Sequence, residues 1–184
     1  MQKTKKESLF SLKSLVIMAL MIALSIILTR YLAIDLMVIR ISLGNLPVIL
    51  TAITLGPVAG GMVALVADLL GSLQVGYGFS ISPVITLGAV LVGVLSGIIF
   101  KYVPIRKMSL KLILTVFSSH VVGSVFVKTI GLAILYVYKF DSSFWLLMLT
   151  RLGTYSVTAI VEILIIGFLL KSKAIRTLLI GAKK

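Results

Sequence analysis

The chain has 184 residues, 60% of them hydrophobic and only 12% charged, with a mean hydropathy of +1.21. A soluble core of this size cannot hide that much apolar surface, so the class is integral membrane protein, and the absence of cysteine excludes disulfides and thiol chemistry. The net charge of +13 fits the positive-inside bias and anionic lipid headgroups better than nucleic acid, because no basic patch is interleaved with aromatics.

A spanning helix needs about 20 apolar residues, so the length has room for roughly five to seven spans and no separate soluble domain. The basic start "MQKTKKESLF" leads into an apolar run, Leu15 to Leu28, that is too long for a signal-peptide core. No small-residue cleavage site follows before Arg30, so this is an uncleaved first span, Leu12–Tyr31. Five further apolar segments follow: Leu43–Leu55, Val58–Leu73, Pro83–Phe100, Leu110–Tyr138 and Phe144–Leu170. "LGPVAGG" and "VGYGFSISP" punctuate them. The expected fold is all-α: one six-helix transmembrane bundle over residues 1–184.

Of the 18 Lys and Arg residues, all but Arg30, Arg40, Lys128, Lys139 and Arg151 fall on one side of a six-span arrangement. They lie before span one, between spans four and five, and after span six. The positive-inside rule then places residues 1–11 and 171–184 in the cytoplasm. In that orientation Arg30 ends span one at the outer surface and Arg40 lies in the first external loop. Asp68 and Lys128 fall in the outer halves of spans three and five. Arg151 sits about two turns below the outer surface.

Ionisable side chains at membrane depth cost several kcal/mol unless paired or wetted. Boundary placement accounts for Arg30 and Arg40 equally well, and Asp68 has the alternative of pairing with an arginine. Lys128 and Arg151 are harder to explain that way. Four cations against one acid leave positive charge that an anionic ligand would neutralise. A buried carboxylate such as Asp68 is also suited to accept parallel hydrogen bonds from an aminopyrimidine edge. His120 and Glu162, read as lying in the inner halves of spans five and six, form a structural hydrogen bond or a proton relay, with the structural role preferred. In "MALMIALS", Ala19 and Ala23 share a helix face on which another helix can approach closely. There is no Walker A sequence, no zinc-protease motif and no G-x-S-x-G serine, and a single histidine makes no multi-histidine metal site. An enzyme reading has little to rest on.

The strings "ALSIILTRYLAI", "RISLGNLPVILTAITLGPVAGGMVALVADLLGSL" and "ISPVITLGAVLVGVLSG" resemble the substrate-binding S components of energy-coupling factor (ECF) vitamin transporters. Within that group they look like the folate-specific members. The resemblance is good over about residues 19–100 and holds only in outline beyond. It implies a multi-pass protein of the bacterial cytoplasmic membrane. Such a protein binds folate from outside and works with a transmembrane coupling subunit and two ABC-type ATPases. It needs no cofactor of its own, since the partners use ATP. It further implies that Ala19 and Ala23 meet the coupling subunit and that Arg30–Tyr31 and Asp68 belong to the ligand site. Lys128 and Arg151 join them on depth and charge. Tyr31, Tyr77 and Phe79 are candidates to stack on the ligand ring, or to serve as interfacial aromatics. Gly76 and Gly78 suit a mobile lid. The rival expectations are an S component for another vitamin, such as pantothenate or biotin, and a non-transport membrane scaffold. An intramembrane enzyme is a third, weaker one.

Overall fold

The computed structural model describes residues 11–36, 39–73, 82–135 and 142–171. Helix α1 (Leu12–Arg30) starts at Ser11, whose side chain accepts from the Ser14 backbone N–H. Two short strands follow, β1 (Ile34–Leu36) and β2 (Ile39–Ile41), paired antiparallel with Asp35 opposite Arg40. Helix α2 (Asn45–Leu55) stops at Gly56, whose φ of 106° only glycine adopts without strain. Pro57 begins α3 (Pro57–Ser72) at once, a position where its missing N–H costs nothing. Then come α4 (Pro83–Tyr102), α5 (Met108–Ser119), a π-helical stretch His120–Val127, α6 (Lys128–Leu135) and α7 (Ser142–Lys171).

Helix α5, the π stretch and α6 run on as one long helix, so among the described residues six helices stand where six spans are expected. Four are long and apolar enough to cross a membrane: Leu12–Arg30, Pro83–Tyr102, Met108–Ile134 and Phe144–Lys171. Helices α2 and α3 are shorter, about 16 and 24 Å at 1.5 Å per residue against a hydrocarbon core of roughly 30 Å. Their place in the bundle compensates. Seven consecutive residues of α2, Leu46–Ala52, are buried, so this helix has no need to meet lipid on its own. The long helices instead turn large apolar side chains outward, as at Leu12, Trp145, Leu164 and Phe168.

Close backbone approach holds α2, α3 and α4 together. A Cβ on Gly60 would collide with Ala52, one on Gly93 with the Gly60 backbone, and one on Gly97 with Pro57. The same device joins α4 to the π stretch, where Gly88 and Gly123 face each other's carbonyl oxygens at 2.7 and 2.6 Å from an added Cβ. Around this frame, Met18 of α1 packs with Val48, Ala59, Val63, Ala64 and Ala89. Ile49, Val92, Val116, Ala159 and Ile166 form the adjoining core.

The hairpin is a feature the alternation of apolar and charged residues did not announce. It sits at the α1 end that carries Arg30, and β2 lies against α7. The chain after it is tied to α1: Ser42 Oγ donates to the Leu28 carbonyl (3.3 Å) and Ser25 Oγ to the Gly44 carbonyl (2.7 Å).

Candidate ligand-binding site

Polar side chains gather at the end of the bundle where α1 and α3 finish and α2, α4 and α7 begin. On the α3–α4 side, Asp68 Oδ2 accepts a 2.6 Å hydrogen bond from Thr86 Oγ1. One turn beyond Asp68 the Arg30 guanidinium crosses α3 at Gly71, where an added Cβ would lie 3.3 Å from Nε and Nη2. Glycine makes room there for the arginine. On α4, one turn at most from Thr86, Gly88 does the same for Lys128, whose Cγ would be 2.6 Å from an added Cβ. Arg30, Asp68 and Lys128 are thus brought to one end by α1, α3, α4 and α6.

The α7 side carries a second, larger cluster. Arg151 Nη2 donates to the Ser124 carbonyl and to Tyr155 Oη, both at 3.2 Å. Its Cζ lies 5.3 Å from the Tyr155 ring centre. Tyr155 stacks on His120, with centroids 5.5 Å apart and planes 27° from parallel. His120 Nε2 is 2.6 Å from Glu162 Oε2, and both residues are buried. The other ring nitrogen, Nδ1, faces Ser124 Oγ (3.3 Å) and Asn45 Nδ2 (3.5 Å). Asn45 Nδ2 also reaches Ser124 Oγ at 3.5 Å. Arg151 Nε is buried and makes no hydrogen bond among the described residues.

The structure puts the His120 ring beside Asn45, the first residue of α2, and links it through Tyr155 to Arg151. His120 precedes the midpoint of the Met108–Leu135 span and Glu162 lies in the last third of α7, on the inner sides where the sequence puts them. The two side chains do pair, a contact that suits a structural hydrogen bond and a proton relay alike.

Tyr31 is 68% exposed just past α1. Arg40 is on β2, against α7, and its side chain lies outside the described residues, as do Tyr77, Phe79, Gly76 and Gly78. Ala19 and Ala23 are exposed on α1, on the side away from buried Met18 and Ser25. Asn45, Thr86, Ser124 and Tyr155 were not singled out from sequence. Only Tyr155 left a signal, four residues after Arg151 and so on the same helix face. The others meet their partners across long sequence separations.

A family model described as the S component of ECF-type riboflavin transporters matches residues 9–176. The chain belongs to that family. As an S component it is a transporter subunit and a membrane protein, and the helical bundle agrees. It is 35% identical over 100 residues to the folate transporter FolT of Clostridium novyi (strain NT). That match takes in 54% of this chain and 56% of the relative, so it spans little more than half of either. Its fold is that of two solved structures. One is FolT bound with folic acid, with a TM-score of 0.69 and 23% identity over 85% of this chain and 91% of that one. The other is the S component of a bacterial ECF transporter, with a TM-score of 0.62 and 22% identity over 85% and 92%.

Proposed function

We propose that this S component captures folate, or a close pterin derivative, at the outer face of a bacterial cytoplasmic membrane. It hands the vitamin on with a transmembrane coupling subunit and two ABC-type ATPases, which use the ATP. Both termini are cytoplasmic, and the hairpin and polar cluster face outward. The exposed Ala19–Ala23 face of α1 meets the coupling subunit, since small residues let another helix come close.

The observation that supports this most is the Arg151 guanidinium. It is held in place through Nη2 while its buried Nε–H makes no hydrogen bond among the described residues. A carboxylate would satisfy that group, and charged hydrogen bonds to carboxylates are among the strong ones. Folate carries two carboxylates on its glutamate tail and an aminopyrimidine edge on its pterin. Arg30, Lys128, Arg151 and, on β2, Arg40 suit the first. Asp68, with Oδ2 taken by Thr86, suits the second. Tyr31, Tyr77 and Phe79 remain the aromatic candidates for the ring. The likeness to a folate transporter points the same way.

The description of the matching family model favours riboflavin as a second reading. Riboflavin has no carboxylate, so it would leave the cations without an anion. Calorimetry on purified protein separates the two. Arg151→Ala should weaken folate by about tenfold to a hundredfold, the worth of a desolvated charged hydrogen bond. It should hardly change binding of a pterin lacking the glutamate. Asp68→Asn should weaken both ligands. Tighter binding of riboflavin than of folate by the parent protein would replace the folate reading.

A further inference from the structure

The proposed function gives Glu162 and His120 no ligand group to hold, yet the bundle keeps them together in its core. A carboxylate and an imidazole at 0% and 1% exposure are costly to desolvate, and an apolar pair of similar volume is often no less stable. Their geometry shows what they hold. Glu162 takes one ring nitrogen of His120, and Ser124 and Asn45 face the other. The ring therefore has no freedom to turn about its own axis. Its flat face stacks on Tyr155, and the Tyr155 hydroxyl accepts from Arg151 Nη2. Ser124 closes the circuit, with its hydroxyl on His120 and its carbonyl on Arg151. Among the described residues, each hydrogen bond that Arg151 donates goes to a residue that touches His120.

We infer that Glu162, acting through His120 and the Tyr155–Ser124 bracket, is a positioning residue that fixes the Arg151 guanidinium. It thereby sets the preference of the site for carboxylate-bearing ligands. This rests on the reading of Arg151 as an anion-binding group. Without Glu162 the imidazole can rotate, Tyr155 loses its fixed platform, and Arg151 samples orientations in which Nε no longer faces the carboxylate. A flexible cation binds the same anion less tightly because it must be ordered on binding.

The test uses full-length protein in detergent, with folate and a pterin lacking the glutamate as probes. Glu162→Leu and the double change His120→Leu/Glu162→Leu should each weaken folate about tenfold. The double variant leaves neither member of the pair buried without the other and serves if the single one does not fold. Neither should change pterin binding more than about twofold. Glu162→Gln keeps an acceptor for the ring and should restore folate affinity to within about threefold of the parent. In an Arg151→Ala background, removing the pair should cause no further loss, because coupled residues are not additive. Equal losses for both probes, or a full further loss in the Arg151→Ala background, would overturn the positioning role while leaving the anion site standing. Folate affinity unchanged in Arg151→Ala would overturn the anion-site reading and this inference with it.

Discussion

Between α3 and α4 the backbones touch, and a Cβ on Gly93 would collide with the Gly60 backbone. Between the π stretch and α7 the contact is made by long side chains, with His120 Nε2 2.6 Å from Glu162 Oε2. The first kind of contact places Asp68 and Thr86 on helices that cannot move apart without losing close packing along their length. The second places Arg151 on α7, a helix that turns Trp145, Leu146, Leu149 and Leu152 outward and is tied inward by polar side chains. In lipid no hydrophobic force drives helices together, so both solutions rely on packing and hydrogen bonds. They differ in tolerance: a glycine seam fails on any added volume, whereas a polar bridge can be weakened a bond at a time.

That contrast is open to experiment. The largest effect is expected at the seam. Gly93→Leu should leave no monodisperse protein on size exclusion, since the Gly60 backbone cannot move aside and overpacking of this kind costs about 3 kcal/mol or more. Gly153→Leu on α7, where nothing lies within 4 Å of an added Cβ, should fold and bind as the parent does. Equal tolerance at both sites would remove the distinction between the two regions.

Helix α1 packs on the close-packed side and turns Ala19 and Ala23 outward. Ala19→Trp or Ala23→Trp should abolish uptake in cells with the full transporter, while the purified variant keeps its ligand affinity and melting temperature. Uptake that survives both changes would place the partner face elsewhere.

On the polar side, Glu162→Leu should lower stability by about 1–3 kcal/mol, because it leaves His120 with an unmatched buried ring nitrogen. Thermal unfolding in detergent measures this. The His120→Leu/Glu162→Leu double variant should recover most of the loss, since an apolar pair stands in for a buried polar one at little cost. A double variant less stable than the single one would mean that the pair holds the bundle together rather than orienting groups within it.

The smallest effect is expected at Thr86. Thr86→Val keeps the shape and removes the hydrogen bond to Asp68 Oδ2. Pterin affinity should fall by about 1 kcal/mol, or roughly fivefold, as the carboxylate loses its fixed orientation. Calorimetry with the same pterin fragment checks this, and no change would mean that the α3–α4 packing alone orients Asp68.

Much of the bundle was legible in the chain itself. Span one was expected at Leu12–Tyr31 and is Leu12–Arg30; span four was expected at Pro83–Phe100 and is Pro83–Tyr102. Gly56–Pro57 marked the turn between spans two and three. These features are local: twenty apolar residues must form a helix in lipid because every backbone group has to be satisfied within it. The out-of-place charges of Arg30, Asp68, Lys128 and Arg151 were visible for the same reason, since a charge at membrane depth needs a cause wherever it points.

What only the tertiary structure decided is which groups meet. Asn45 and Ser124 are 79 residues apart in the chain, His120 and Glu162 are 42 apart, and no periodicity pairs them. Their meeting depends on how deep α2 begins and on how near α4 and the π stretch approach at Gly88 and Gly123. Those depths follow from side-chain volumes summed over whole interfaces. Hydropathy tells a residue that it belongs in the membrane; packing alone tells it beside what.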